Sequence, residues 1–301
     1  KLAVNARPLT ADWAILDPML TIGLPREVTA ATGIDAIVHA VEAYTSARLK
    51  NPVSDGLARE ALRLLSSNLL TACTDPQDLE AREAMLLGAH LAGLAFSNAP
   101  VAGVHALAYP LGGLHHLPHG VTNALMLRHV LQHNAEAARE HYAELAPIVV
   151  PECEREGSQA RTAMLIDRLD QLVSESGIAT RLRDYGIDIA EAPTLAREAM
   201  KQTRLLVNNP CEITEADAQR LRAQAPSPPP AWRIVQAARA NAARRMANRL
   251  RWTWRIALFV LVVSAVPLVL HDPRALPGLV APLLLGALFC WRDEPGTLES
   301  R

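Results

Sequence analysis

The apolar residues of this chain recur mostly at helical spacing. After Asn51-Pro52, which is a helix start signal, apolar side chains return every three or four positions from Leu57 to Leu69. The stretch from Leu79 to Phe96 has the same pattern, with charge mainly at its beginning. Long alternating β-branched runs, which would indicate half-buried strands, are absent after residue 30. The pattern predicts a mainly all-α protein, with a helical body that extends to about residue 225.

Caps and breakers predict the other elements of this body. Thr32 predicts the start of an interior helix that ends near Tyr44, and residues 1–28 predict one or two short strands or extended segments as an inter-domain lead-in. A helical run through His105 should stop near Pro110-Leu-Gly-Gly, where proline and glycine oppose its continuation. The remaining predicted helices are residues 121–134, 161–176, 182–185, 194–206 and 214–225.

The composition changes abruptly beyond the helical body. Residues 226–232, PSPPPAW, form a proline-rich linker, and residues 233–255 contain seven arginines ahead of two uncharged apolar runs. Tryptophans flank these runs, so residues 233–301 are predicted to be a basic helix followed by a two-helix membrane hairpin within 252–291, with both ends cytoplasmic. The alternatives are a buried helical hairpin in a soluble domain or partner interface, and a frame change or joining error in the gene model.

Charge, cysteines and glycines limit the classes of function. The 301 residues have a formal net charge of -1, which argues against a nucleic-acid-binding protein because such domains usually have a basic excess. The four cysteines form no Cys-x-x-Cys pair, so no disulfide framework or cysteine zinc site is indicated and a reducing compartment is the simplest interpretation. No Gly-x-Gly occurs, which excludes the common glycine-rich phosphate loops. Because the chain begins with Lys1 and has no secretory leader, we expect a fragment whose natural start lies upstream.

Candidate chemistry is concentrated in two stretches. In GIDAIVHAVE, Asp35 and His39 are four positions apart, which on a helix places both side chains on one face. In VHALAYPLGGLHHLPHG, His105 and His119 flank a proline-glycine break, so the chain can turn back and aim both imidazoles at one point. One carboxylate and three imidazoles in apolar surroundings suit Fe²⁺ or Zn²⁺ better than Mg²⁺ or Ca²⁺. The sequence therefore predicts a metal site built inside helices from these four side chains.

Other polar residues have more ordinary explanations. His115 and His116 lie in the turn between the two later ligands, where a solvated loop histidine is a simpler interpretation than a histidine that lines a cleft. Glu42 follows Asp35 by seven positions on the same helical face. It is either a support for the ligands or an ordinary surface carboxylate, and the sequence leaves this choice open. The histidines expected to be structural or exposed are His90, His129, His133 and His141.

Three segments resemble a known family: LPREVTAATGIDAIVHAVEAYTS, NPVSDGLAREAL and VHALAYPLGGLHHLPHGVTNALML. They are similar to the helical C-terminal half of the iron-containing alcohol dehydrogenases, which are relatives of the dehydroquinate synthase and glycerol dehydrogenase group, over residues 1 to about 222. The resemblance implies that residues 29–225 form a helical metal-binding domain in which the same four side chains hold the metal. The family's N-terminal nucleotide-binding domain, with its Gly-Gly-Gly-Ser loop, is missing here. Tyr109 stands where several relatives have another histidine near the nicotinamide.

The activity that the resemblance implies is metal-assisted hydride transfer between a small alcohol or aldehyde and NAD or NADP, with Fe²⁺ or alternatively Zn²⁺ as the metal. Tyr109 is then a candidate catalytic contact on the cofactor side, through its hydroxyl. A different interpretation is a catalytically silent metal-binding or membrane-anchored interaction fragment of a dehydrogenase, which the missing phosphate loop favours. We expect a cytoplasmic domain held at the inner face of a membrane by the hairpin, without a nucleic-acid partner, and with a homo-oligomer as a possible assembly.

Overall fold

The computed structural model describes residues 11–223, and every regular element within that range is helical. The α-helices of this range are α1 Arg26–Tyr44, α2 Pro52–Thr74, α3 Leu79–Asn98, α4 Gly103–His115, α5 His119–Asn134, α6 Arg139–Val149, α7 Ser158–Ser176, α8 Ala192–Met200, α9 Thr203–Leu206 and α10 Glu215–Ala223. Short 3₁₀ turns occupy Pro18–Thr21, Pro151–Cys153, Leu182–Tyr185 and Ile189–Glu191. The prediction of an all-helical body is confirmed over the described residues.

The central helix of the bundle is α1. It is buried along most of its length and packs against α2, α3, α5 and α7. The start of α5 lies against its backbone, because a Cβ built on Gly120 would overlap the carbonyl of Ala31. Only glycine allows so close an approach of two helices. Ala31 lies one turn before Asp35, so this contact brings the first residues of α5 next to the polar side chains of α1.

Local caps determine where two of the helices begin, but not α1. The side chain of Asn51 accepts a hydrogen bond from the backbone N–H of Ser54 (2.9 Å) at the start of α2, and Asp78 caps α3 in the same way. The predicted start of α1 at Thr32 is wrong, since the helix already begins at Arg26. The Thr32 hydroxyl donates to the carbonyl of Val28 (2.8 Å) inside the helix, so it makes no cap.

The predicted stop near Pro110-Leu-Gly-Gly is also wrong, because α4 passes through the proline and both glycines and continues to His115. A proline inside a helix removes one backbone hydrogen bond. Leu107 and Leu111 on either side of Pro110 are fully buried, and we attribute the continuity of the helix to the packing of this turn. The helix ends where His116 adopts a left-handed backbone conformation with a φ of 57°.

Four further differences concern short or late elements. Residues 11–25 contain a 3₁₀ turn but no strand, and the side chain of Asp17 accepts a hydrogen bond from Met19 N–H (2.9 Å) at its start. The helix α6 was not predicted, and the helix predicted at 194–206 is divided into α8 and α9. Residues 182–185 form a 3₁₀ turn in place of the predicted α-helix.

None of the described helices is by itself long and apolar enough to cross a bilayer. The pair formed by α3 and Gly103–Leu114 reaches that length and hydrophobicity only when taken together, across a bend of 106°. The predicted linker at 226–232 and the predicted hairpin within 252–291 lie outside the described residues, so both stay predictions.

Candidate metal centre

The four side chains that the sequence selects as metal ligands converge on one carboxylate oxygen. Asp35 and His39 lie one turn apart on α1, His105 lies near the start of α4, and His119 is the first residue of α5. The Nε2 atoms of His39 and His105 are each 3.6 Å from Oδ1 of Asp35. The Nε2 atom of His119 is 3.8 Å from the same oxygen. Three helices therefore bring one acidic and three imidazole groups to a common point.

This donor set fits a divalent cation. The ligand atoms of Asp35, His105 and His119 lie within 4.8 Å of one another. Ligands about 2.1 Å from a tetrahedral ion are separated by roughly 3.4 Å, which is close to the distances from Asp35 Oδ1. His39 lies outside this tightest group, although its ring stacks on the ring of His105 with the centroids 4.9 Å apart. Imidazole nitrogens together with a carboxylate are donors that Fe²⁺ and Zn²⁺ accept.

Glu42 is the buried partner of His105. Its carboxylate accepts hydrogen bonds from the backbone N–H groups of Ala102 (2.9 Å) and Val104 (2.6 Å), at the start of α4, where the helix itself offers no acceptors. It also lies 2.7 Å from Nδ1 of His105, and only 4% of Glu42 is exposed. A carboxylate at Nδ1 keeps a proton on that nitrogen and leaves the Nε2 lone pair for a cation. Glu42 is therefore no surface carboxylate.

Burial and charge oppose one another at these groups. Burial alone raises the pKa of Asp35, but the hydrogen bond to His105 and the charges of His39 and His119 hold that pKa well below its usual range. Burial lowers the pKa of His39 to about 4. Burial also lowers the pKa of His105, whereas the negative charges of Glu42 and Asp35 outweigh burial and raise it to about 9. Without a cation, His105 is protonated at neutral pH, and it must release a proton to become a ligand.

Residues 29–225 match the model of the Fe-containing alcohol dehydrogenase family, C-terminal. The chain belongs to the iron-containing alcohol dehydrogenase family. The resemblance predicted from the sequence is thereby confirmed. The chain is 43% identical over 209 residues to the long-chain-alcohol dehydrogenase 1 of Geobacillus thermodenitrificans, an alignment that covers 69% of this chain and 53% of the relative.

Two further comparisons give similar coverage. The 1,3-propanediol dehydrogenase of Citrobacter freundii is 40% identical over 206 residues, which cover 67% of this chain and 53% of the relative. The crystal structure of a 1,3-propanediol oxidoreductase superposes with a TM-score of 0.66 at 39% identity and covers 68% of this chain and 53% of that chain. The chain thus spans about half the length of the curated relatives that it matches.

Tyr109, the predicted contact on the cofactor side, lies beside the cluster. Its ring centroid is 5.6 Å from that of His119 and 6.3 Å from that of His105. Burial raises the pKa of the Tyr109 phenol, so the hydroxyl is protonated at neutral pH and can donate a hydrogen bond. Tyr109 packs against an apolar group that also includes Phe96, Val101, Ala106, Leu205 and Leu206. Phe96 contacts the ring of His39 at a centroid distance of 4.5 Å, so the polar cluster has an apolar wall.

Asn123 belongs to the cluster but was missed in the sequence. Its Nδ2 donates a hydrogen bond to Oδ1 of Asp35 (2.5 Å) and lies 3.2 Å and 3.5 Å from Nε2 of His105 and His119. A signal was available, because Asn123 follows His119 by four positions, the same spacing that singles out Asp35 and His39. An asparagine in an apolar helix is easily taken for a local polar residue, and its partner on α1 is visible only in the fold.

His115 and His116 are not among the ligands that the structure brings together. His115 belongs to α4, not to a loop, and its Nε2 lies 3.1 Å from a carboxylate oxygen of Glu191. His116 is the left-handed residue that ends α4. The two histidines therefore lie at the end of α4, where the chain turns toward α5.

Proposed function

We propose that Asp35, His39, His105 and His119 bind one divalent cation, Fe²⁺ or alternatively Zn²⁺, and that the protein oxidises alcohols to aldehydes with NAD or NADP as hydride acceptor. The observation that carries the proposal is the convergence of the three imidazoles on Oδ1 of Asp35. The names of its relatives support an alcohol substrate: a long-chain-alcohol dehydrogenase, a 1,3-propanediol dehydrogenase and, in Bacillus methanolicus at 32% identity, an NAD-dependent methanol dehydrogenase.

In this proposal, residues of the chain balance the charge of the cation, orient one of its ligands and exclude water from the alcohol. A bound cation would supply Lewis acidity toward the alcohol oxygen. Asp35 provides the negative charge that balances the cation, and Glu42 orients His105 through its Nδ1 atom. The apolar side chains of Phe96 and Leu206 would contact the alkyl part of the alcohol and keep water away. The Tyr109 hydroxyl, whose ring lies beside that of His119, would donate a hydrogen bond to the nicotinamide cofactor.

The nicotinamide nucleotide requires contacts beyond the described residues. The sequence has no Gly-x-Gly loop to bind the phosphates. Because the chain spans about half the length of its relatives, we propose that a nucleotide-binding domain outside this sequence provides those contacts. The alternative function, a metal-binding fragment without catalytic turnover, is favoured by the same missing loop.

The purified full chain, loaded anaerobically with Fe²⁺ or Zn²⁺, tests both parts of the proposal. We expect about one ion per chain by elemental analysis, and loss of that ion in Asp35→Ala and His105→Ala. His90→Ala, on α3 and outside the ligand group, is the matched control and should keep the ion. Alcohol-dependent reduction of NAD or NADP would support the dehydrogenase. A chain that binds the ion without turnover would support the silent fragment for this sequence taken alone and would leave the metal centre intact, and a chain without a bound ion would refute the metal centre.

A further inference from the structure

We propose that Asn123 is a positioning residue of the metal centre, whose amide holds the Asp35 carboxylate in the orientation that receives the cation. This inference rests on the proposed metal site. The Nδ2 atom of Asn123 donates to Oδ1 of Asp35 (2.5 Å), which is the oxygen that the three imidazoles face. A carboxylate oxygen has two lone pairs, so it can accept this hydrogen bond and still offer the second lone pair to a metal ion.

The cluster, and not general packing, determines how the Asn123 amide is oriented. Asn123 is fully buried, and its Oδ1 has no hydrogen-bond partner among the described residues. An unpaired buried carbonyl is unfavourable, so the charge-assisted bond to Asp35 must outweigh that cost. By contrast, Asn134 of the same helix and Asn209 exchange two amide hydrogen bonds (2.9 Å and 2.7 Å) and satisfy each other. An amide with only a structural role would be expected to resemble that pair.

The Asn123 bond also fixes the position of α5 relative to α1. Asn123 lies one turn after His119, so its hydrogen bond to Asp35 holds the face of α5 that presents the His119 ring. Glu42 has the corresponding role for α4, through His105. Asp35 and Glu42 of α1 therefore each anchor one of the two helices that contribute the later candidate ligands. Such anchoring organises the site before the cation arrives, which raises affinity.

The test compares Zn²⁺ affinity in the full chain and its variants by competition with a chromophoric chelator. Asn123→Leu removes the donor and keeps the branched shape of the side chain, and Asn123→Ala is the second variant in case the larger methyl groups of leucine disturb packing. We expect Zn²⁺ binding that is about 10–100-fold weaker in both, together with a changed visible absorption spectrum of bound Co²⁺. Thr122→Ala is the matched control, since within residues 11–223 the Thr122 hydroxyl donates only to the His119 backbone carbonyl (2.8 Å). It should bind Zn²⁺ as the wild type does, even if its thermal stability falls.

The outcomes separate this inference from the metal centre itself. Wild-type affinity in either Asn123 variant that retains native helix content by circular dichroism overturns the positioning role. Equal weakening in Thr122→Ala overturns it too, because the effect would then be a general loosening of α5. A wild-type chain that binds neither Zn²⁺ nor Co²⁺ refutes the metal centre, and the positioning role with it. Weaker binding confined to the Asn123 variants supports the proposal.

Discussion

Replacing Glu42 by glutamine should weaken the metal centre without changing any ligand. Glu42 faces three donors, the N–H groups of Ala102 and Val104 and Nδ1 of His105, at 2.6 to 2.9 Å. A glutamine has one acceptor oxygen and an NH₂ group in the same volume, so at least one donor must face another donor. His105 can then adopt the other tautomer, in which a protonated Nε2 cannot bind a cation.

The size of the Glu42→Gln effect follows from burial. A hydrogen bond to a charged group contributes about 1.5–3 kcal/mol, and a buried donor left unpaired costs about 1–3 kcal/mol. Solvent cannot replace the lost bond at a side chain that is only 4% exposed. We therefore expect the free energy of unfolding of the metal-free chain to fall by roughly 3 kcal/mol and the Zn²⁺ affinity to fall about 10–100-fold.

Urea unfolding followed by circular dichroism measures the free energy of unfolding. Calorimetric Zn²⁺ titration of the folded chain measures the Zn²⁺ affinity. Glu144→Gln is the matched control, because Glu144 is exposed on α6 and accepts a hydrogen bond from the Tyr44 hydroxyl (2.6 Å) far from the ligands. It should leave Zn²⁺ affinity unchanged. Wild-type affinity in Glu42→Gln would refute the reasoning that Glu42 selects the tautomer of His105.

His105, Tyr109 and Gly120 give three further expected outcomes. The pKa of His105 is raised from 6.5 to about 9, so its protonation stabilises the metal-free fold fully below pH 6.5, and this contribution is lost as the pH rises through about 9. Calorimetry in buffers of different ionisation enthalpy should show that Zn²⁺ binding at pH 7 releases about one proton. No proton release would contradict the raised pKa. Tyr109→Phe should keep the metal but lower the kcat of alcohol oxidation about tenfold, the equivalent of one hydrogen bond, and an unchanged kcat would exclude a role for the hydroxyl. Gly120→Ala should lower the free energy of unfolding by about 2–4 kcal/mol in thermal denaturation, whereas Gly113→Ala, where a Cβ has open space, should not.

The helical body could be predicted because apolar residues repeat at helical spacing wherever a helix has one buried face. Of the periodic residues in α2, Leu57 is partly buried, and the others are fully buried: Ala61, Leu62, Leu65 and Leu69. The helix α6 was missed because it is short and contains Pro147, which argues against a helix when neighbours are unknown. Its burial depends on Tyr142 and Leu145 packing into the bundle, and no local signal encodes that packing.

The candidate site, like the fold, could be predicted only in part from the sequence. Spacing alone pairs Asp35 with His39, because both lie on one face of one helix. The addition of His105 and His119 needs the chain to turn back. It does so after His115 and not at the predicted proline-glycine break, so the local sequence did not determine where the turn lies. Glu42 was left undecided because a carboxylate on the same face can be exposed or buried, and only the position of α4 decides this.

The candidate metal centre lies in one uninterrupted stretch, from Asp35 to Asn123, on helices in which α5 packs against both α1 and α4. Such a stretch can be inherited as a cassette. Joined to other neighbouring domains, such a stretch would keep Asp35, His105 and His119 together.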